Sequence, residues 1–194
     1  ILISTLLLIF SAFFYFSSGL PDYKKLADYQ PPISSRVYSN DGKLIAEYAL
    51  EKRLFVPYDS IPTKVINSFL SAEDKNFFNH PGVDAKGILR ATINNIKNIL
   101  GDKRLEGAST ITQQVAKNFL LTNEVSLNRK IKEAILAFRI ERALSKERIL
   151  ELYLNQIYLG SGAYGVAAAS LEYFDKSIKE LNYEEAALLA ALPK

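Results

Sequence analysis

From Pro62 onward the sequence repeats one helical pattern, and this repetition constrains the fold more than any other feature. Apolar residues recur at three- and four-residue spacing, and most of these segments open on a residue that starts or caps helices well. Helices are predicted over about 62–79, 84–101, 109–119, from 126 onward, 145–158, 164–174 and from 182 onward. The pattern predicts a mainly α fold.

Before Pro62 the pattern changes to short alternating segments. Residues 36–39 and 43–48 flank Asn40-Asp41-Gly42, which predicts a small β-hairpin with a glycine-containing turn. The tripeptide Gln30-Pro31-Pro32 indicates a linker. We therefore expect a linker over 21–35 and a folded domain over 36–194.

The first 16 residues carry no charge, and a membrane-spanning helix needs about 20 mostly apolar residues. The aromatic residues at 13–16 suit a membrane interface. The alternative is the core of a cleaved signal peptide, for which Ser17-Ser18-Gly19 offers a weak cleavage site. We expect a single-pass anchor over 1–20 that is truncated at its start, because the chain contains no methionine even at position 1. We also expect the domain to be truncated after Lys194, because the sequence stops abruptly just after an apolar run.

Composition excludes several classes of function. The net charge of +3 is too small to indicate nucleic acid, and the absence of cysteine excludes disulfides and thiolate metal sites. A zinc site is not expected either, because His80 is the only histidine.

Residues 107–118 place many polar side chains at the start of a predicted helix. Helix N-termini bind anions through free N–H groups, and Ser109 or Thr110 would cap this one. Further polar groups follow within two turns at Gln113, Gln114, Lys117 and Asn118. An ordinary capped helix with a solvated polar face is the alternative, and the segment alone does not separate the two.

A second charged segment contains Arg129, Lys130 and Glu133. Their spacing lets Glu133 pair with both cations on one helix face. Surface pairs of this kind contribute only about 0.3–0.5 kcal/mol each and are usually solvated. The neighbouring apolar stripe of Ile131 and Ile135 leaves the alternative that this face borders a cleft.

Two acidic residues, Glu73 and Asp74, end an apolar helical segment. Partial burial beside a like charge would favour a catalytic role, whereas a solvated acidic pair is the commoner case. His80 is expected to be structural, forming a hydrogen bond at a helix end before Pro81-Gly82.

Five segments together resemble the glycosyltransferase family 51 domain of class A penicillin-binding proteins. In chain order they are Glu73, Asp74, Phe77, His80 and Gly82; Gly107, Ser109 to Gln114, Lys117 and Asn118; Arg129, Lys130 and Glu133; Ile149 to Glu151 and Tyr153 to Asn155; and Gly165, Ala168, Ala169, Tyr173, Phe174 and Lys176. One departure is Asp175, where relatives often have glycine, and aspartate tolerates the left-handed backbone. The match covers roughly residues 35–194.

The resemblance implies a lysozyme-like helical domain with a cleft, and an enzyme that polymerises lipid II into β-1,4-linked glycan by an inverting single displacement. Undecaprenyl pyrophosphate would be the leaving group. Glu73 would be the base, with Glu133 orienting Lys130 or assisting at the phosphate. Substrate or pyrophosphate would contact Asp74, Ser109, Thr110, Gln113, Gln114, Lys117, Asn118, Arg129 and Lys130. His80, Gly82, Glu151, Tyr153 and Asn155 would be structural.

The resemblance also implies a cellular location and a set of partners. The domain would lie on the outer face of the bacterial cytoplasmic membrane, where its partners would be lipid II, the growing lipid-linked glycan, a C-terminal transpeptidase domain and other cell-wall synthesis proteins. No cofactor is required, although a divalent cation such as Mg²⁺ could bind the pyrophosphate. The apolar segment 88–100, with Arg90 and Lys97, could enter the membrane surface or be a simple surface helix.

Two other functions are compatible with parts of this sequence. A lysozyme-like enzyme that cleaves glycans would share the fold and a catalytic glutamate, but it would not need cations placed for pyrophosphate. A non-catalytic, membrane-anchored glycan-binding module is disfavoured, because Glu73, Lys117, Lys130 and Glu133 are all present.

Overall fold

A computed structural model describes residues 10–11, 14–29, 35–41, 44–48, 52–101, 107–122, 124 and 126–193. Much of the expected anchor over 1–20 therefore lies outside the described residues, as does the end of the expected linker at 30–34. Within the described ranges, no helix is both long enough and apolar enough to cross a membrane.

All seven helices predicted after Pro62 are present, so the mainly α class is confirmed. They are α1 (Thr63–Glu73), α2 (Ala85–Leu100), α3 (Ile111–Leu120), α4 (Leu127–Ala143), α5 (Lys146–Gln156), α6 (Val166–Phe174) and α7 (Tyr183–Ala190). Short 3-10 turns occur at Tyr23–Leu26, Tyr58–Ser60 and Phe77–Asn79. The lysozyme-like arrangement of these helices stays a prediction.

The helix starts follow the capping residues of the sequence. Asp84 caps α2, and Ser126 caps α4 by accepting a hydrogen bond from the amide of Arg129. Both α3 and α7 begin with complete capping boxes, Thr110 with Gln113 and Asn182 with Glu185. Because these interactions are local, the sequence alone predicts them well.

Helix ends differ more from prediction. The first predicted helix, 62–79, stops at Glu73, since Asp74 leaves helical geometry with φ −156° and ψ 77°. The chain then turns into the 3-10 segment Phe77–Asn79, in which Phe77 is fully buried. Burial of one aromatic side chain is worth enough to override a local helical preference.

The described residues form two small sheets. The predicted hairpin is confirmed: β1 (Ser35–Tyr38) pairs antiparallel with β2 (Leu44–Tyr48). A second sheet was not predicted, and it joins β3 (Lys52–Arg53) in parallel with β4 (Ala163–Tyr164). This pairing delays the start of the sixth predicted helix from about 164 to Val166.

The chain forms two compact units. The first unit comprises residues 1–27 and 76–149, and α3 packs against α4 within it. The second unit comprises residues 28–75 and 150–194, and α1 packs against α7 within it. Helix α5 contains residues of both units. Each unit has its own apolar interior, with Ile111, Leu136 and Ile140 buried in the first and Phe69, Leu154 and Leu181 in the second.

Asp175 ends α6 in the left-handed conformation, with φ 52° and ψ 38°. Its amide donates to the carbonyl oxygen of Leu171 at 3.0 Å, and the Ser170 hydroxyl donates to the carbonyl oxygen of Lys176 at 2.7 Å. This is the position at which glycine is preferred, because a Cβ atom adds strain there.

Replacing Asp175 with glycine should therefore stabilise the fold. We expect Asp175→Gly to raise the free energy of unfolding by about 0.5–1 kcal/mol, and Asp175→Ala to lower it by a similar amount. Urea unfolding of the three proteins measures both changes. Equal stability of the glycine and alanine variants would show that the left-handed backbone carries no strain.

Candidate functional site

A cluster of four polar side chains joins α4 to the residues before α3 in the first unit. One Glu133 carboxylate oxygen accepts a hydrogen bond from Arg129, and the other lies 2.9 Å from the Lys130 ammonium nitrogen. Lys130 also donates to the Ser109 hydroxyl at 2.8 Å. Glu133 is only 1% exposed, so this carboxylate is an internal partner for both cations.

The cluster has an unbalanced charge. Two cations face one carboxylate, which leaves one net positive charge among Arg129, Lys130 and Glu133. In addition, the Nε atom of Arg129 is buried and has no hydrogen-bond partner in the part of the chain that the structure describes. A buried cationic donor without a partner is costly unless an anion completes it, so the cluster is suited to bind an anionic group.

The sequence builds this cluster locally. Arg129, Lys130 and Glu133 lie in the first two turns of α4, and their spacing places both cations beside the carboxylate. The Ser126 cap fixes where that first turn begins. Packing of α3 on α4 then holds Ser109, just before α3, within reach of Lys130.

The start of α3 is used mainly for internal contacts. The Thr110 amide donates to the Gln113 side-chain oxygen at 3.0 Å, and the Thr110 hydroxyl donates to the carbonyl oxygen of Gly82 at 2.6 Å. Both Thr110 and Gln113 are buried. These contacts fix the loop at Gly82 to α3, and a direct role of either side chain in binding substrate stays a prediction.

Gly82 meets a steric requirement. Its φ is +101°, and a Cβ atom there would lie 2.8 Å from the backbone carbonyl of Ala137 in α4. The Gly82 amide donates to the His80 Nδ1 atom at 3.1 Å, and His80 is buried. His80 and Gly82 therefore let a loop pass close to α4, which any larger residue at 82 would prevent.

Three further predicted site residues lie on α3 beyond its first turn. Gln114, Lys117 and Asn118 are all half-buried. Across the described ranges, Lys117 forms no ion pair or hydrogen bond with its side chain. A half-buried ammonium group without a protein partner is free to bind an anionic ligand.

The acidic pair belongs to the second unit. Glu73 is the last residue of α1 and is half-buried, whereas Asp74 is only 6% exposed. Burial, with the charges of Glu73 and Asp74, raises the pKa of Tyr153 well above its usual range. Tyr153, in α5, is therefore a neighbour of both carboxylates, and the sequence did not reveal this.

Glu151 and Asn155 hold an irregular segment of the second unit. The Tyr58 amide donates to a Glu151 carboxylate oxygen at 2.7 Å. Asn155 binds both backbone groups of Val56, accepting from the amide at 2.8 Å and donating to the carbonyl at 2.9 Å. These contacts give both residues a structural function within the described chain.

The family follows from comparison with known proteins. A family model described as Transglycosylase matches residues 41–194. The chain belongs to the transglycosylase family. The resemblance to glycosyltransferase family 51 that the five motifs indicated is thereby confirmed.

Several relatives of this transglycosylase chain are called penicillin-binding protein 1A. The protein of Rickettsia felis is 64% identical over 181 residues, covering 93% of this chain and 23% of the relative. That of Aquifex aeolicus is 53% identical over 176 residues, covering 91% and 24%. The chain thus spans about a quarter of the length of these curated relatives. A crystal structure of penicillin-binding protein 1A from Haemophilus influenzae is 26% identical, with a TM-score of 0.39, covering 85% of this chain and 14% of that one.

The transglycosylase motifs are supported by a network that the sequence did not reveal. The Lys146 ammonium donates to Glu141 at 2.7 Å and to the carbonyl oxygen of His80 at 2.7 Å, and it lies 4.4 Å from the Phe77 ring centroid. The Thr112 hydroxyl donates to the same Glu141 oxygen at 2.6 Å. This network ties α3, α4 and the His80 segment together. In the described part of the chain, no group of three or more histidine or acidic side chains could hold a metal ion.

Proposed function

We propose that this chain is a peptidoglycan glycosyltransferase that polymerises lipid II into β-1,4-linked glycan strands. The observation that carries the proposal is the cationic cluster of Arg129, Lys130, Glu133 and Ser109, in which the buried Arg129 Nε atom has no partner among the described residues. Such a cluster suits a substrate whose leaving group is a pyrophosphate. Membership of the transglycosylase family supports the same reaction class.

The reaction is a single displacement. The 4-hydroxyl oxygen of one sugar attacks the anomeric carbon of the lipid-linked sugar and forms the new C–O bond. The bond from that carbon to the pyrophosphate oxygen breaks, and its electron pair leaves with undecaprenyl pyrophosphate. The hydroxyl proton passes to Glu73, which serves as general base. Because the donor is α-linked and the product β-linked, one inversion accounts for the stereochemistry.

The leaving group determines what else the site needs. Pyrophosphate departs as a stable anion, so no general acid is required. Fixed positive charge is required instead, because negative charge grows on the bridging oxygen as the bond breaks. Arg129 and Lys130 would supply it, with Lys117 as a further cation and Ser109 as a hydroxyl donor. A divalent cation such as Mg²⁺ on the pyrophosphate would add to this charge, and no cofactor is otherwise required.

Glu133 acts in this proposal as the residue that positions the two cations. Each of its oxygens binds a different cation, and its burial leaves little of the carboxylate open to substrate. These contacts favour the orienting role over direct assistance at the phosphate. Gln114 and Asn118, one and two turns along α3, would bind the donor sugar or its phosphate.

The lipid substrate lies in a membrane, so the enzyme must bind the membrane surface, and α2 has side chains suited to that contact. Its exposed large aliphatic side chains are Ile88, Leu89, Ile93, Ile96 and Ile99. Arg90 and Lys97 lie on the same helix. A helix that combines exposed aliphatic groups with cations suits the boundary between lipid headgroups and acyl chains. We propose that α2 rests in the outer face of the cytoplasmic membrane, with the anchor expected from residues 1–20 and a transpeptidase domain elsewhere in the protein.

A direct assay separates this function from glycan cleavage. The protein is incubated with fluorescent lipid II in detergent, and in parallel with finished glycan strands, and the products are resolved on a gel. A ladder of lengthening strands from lipid II, with the finished strands left intact, is the expected result. Shortening of the finished strands without growth from lipid II would assign a lysozyme-like activity instead.

A further inference from the structure

The hydroxyl group of Tyr153 is a buried polar group that has no hydrogen-bond partner among the described residues. The side chain is 1% exposed and its ring packs edge-on against Phe69, with centroids 6.2 Å apart at an interplanar angle of 74°. Leaving a buried donor unsatisfied costs about 1–3 kcal/mol. Phenylalanine would fill the same space without that cost, so the hydroxyl calls for an explanation.

The acidic pair lies near enough to Tyr153 for both of its charges to act on this side chain. Phe69 lies four residues before Glu73 on α1, so the ring that packs on Phe69 is on the side of the helix that carries Glu73. After burial itself, the charges of Glu73 and then Asp74 are the causes that raise the pKa of Tyr153. Tyr153 therefore keeps its proton throughout the working pH range and can act as a donor to a carboxylate.

Several other ionisable groups of the second unit have partners of their own. In α7, Glu185 pairs with Lys176 and is also influenced by Lys64, which lies in the first turn of α1, at the opposite end from Glu73. In α5, Glu151 accepts a hydrogen bond from the Tyr58 amide. Neither of these contacts involves Glu73, whereas the charge of Glu73 acts on Tyr153.

We propose that Tyr153 is a positioning residue, whose hydroxyl donates a hydrogen bond to the Glu73 carboxylate when that carboxylate turns to receive the proton of the attacking sugar hydroxyl. The proposal rests on the proposed function, in which Glu73 is the base. The hydrogen bond favours the ionised form of Glu73 beside the negative Asp74, and it fixes which oxygen faces the substrate. The sugar proton goes to the other Glu73 oxygen, and Tyr153 keeps its own proton.

The test is Tyr153→Phe, which keeps the ring and its packing on Phe69 and removes only the hydroxyl. We expect kcat for lipid II polymerisation to fall about tenfold, because a hydrogen bond to a charged group is lost. The acidic limb of the kcat profile, which reports the enzyme–substrate complex, should move about one unit to higher pH, because Glu73 would hold its proton more tightly. Thermal stability should be unchanged or higher, because the folded protein loses an unsatisfied group.

Two further variants separate the role of Tyr153 from the proposed function itself. Tyr183→Phe, at an exposed tyrosine of α7, should match the wild type in rate, profile and stability. Glu73→Gln reports on the proposed function itself. If the wild type polymerises lipid II and Glu73→Gln does not, an unshifted profile for Tyr153→Phe overturns the role of Tyr153 alone. A loss of stability with an unshifted profile would likewise assign Tyr153 to packing only. If the wild type fails to polymerise lipid II, the proposed function fails, whatever Tyr153→Phe does to stability.

Discussion

Glu73→Gln is expected to lower the rate of lipid II polymerisation by about a thousandfold while leaving the fold intact. General base catalysis contributes about 10²–10⁴-fold, and glutamine cannot accept the proton of the attacking hydroxyl. The substitution keeps the size of the side chain, and Glu73 is half-buried at the end of α1, so little stability should be lost. Gel analysis of glycan strands over time measures the rate.

The matched control for this experiment is Glu184→Gln. Glu184 is exposed in the first turn of α7 within the same unit, and its replacement removes the same charge from the surface. It should polymerise lipid II at the wild-type rate. Near-normal polymerisation by Glu73→Gln would overturn the assignment of the base, and equal losses in both variants would point to net charge rather than proton transfer.

Glu133→Gln is the second substitution expected to have a large effect, and it should lower both stability and activity. Glutamine still offers one oxygen to Arg129, but its amide group would face the Lys130 ammonium, where the carboxylate oxygen now lies at 2.9 Å. Removing one partner of a buried ionic cluster costs about 3–5 kcal/mol. Misplacing the cations should slow polymerisation about a hundredfold, as the loss of a group that stabilises developing charge does.

The pH dependence of the residual activity tests whether Glu133 acts only by positioning the two cations. If Glu133 only positions Arg129 and Lys130, the acidic limb of the kcat/KM profile should stay where it is in the wild type. A shifted limb would instead indicate that Glu133 takes part in proton transfer. Urea unfolding gives the stability change, and unchanged stability would contradict the ionic cluster described here.

How far the fold follows from the sequence depends on the range of each interaction. The caps at Asp84, Ser126 and Asn182 involve residues three positions away, so local pattern predicts them. The strands β3 and β4 are only two residues long and pair Lys52 with Ala163, so no alternating sequence pattern indicates them. No local pattern indicates that α1 ends at Glu73 or that Phe77 after it is fully buried, because burial depends on the tertiary structure.

The candidate site shows the same division. Spacing along α4 predicts that Glu133 pairs with Arg129 and Lys130, and the structure has both pairs. The contact between Lys130 and Ser109 crosses 21 residues of sequence, so only motif resemblance suggested that these segments cooperate. The partnerless hydroxyl of Tyr153 could not be predicted, because an apolar helical stripe contains tyrosine and phenylalanine in similar positions.

Calorimetry with a short-chain polyprenyl pyrophosphate tests directly whether the cationic cluster binds the pyrophosphate leaving group. Lys130→Gln removes a cation of the cluster, whereas Lys132→Gln removes one from the same helix two residues away, outside the ion pairs of Glu133. We expect Lys130→Gln to raise the dissociation constant at least about tenfold, because a charge-assisted contact is lost, and Lys132→Gln to leave it unchanged. Equal affinity of the wild type and both variants would show that this cluster does not bind the pyrophosphate.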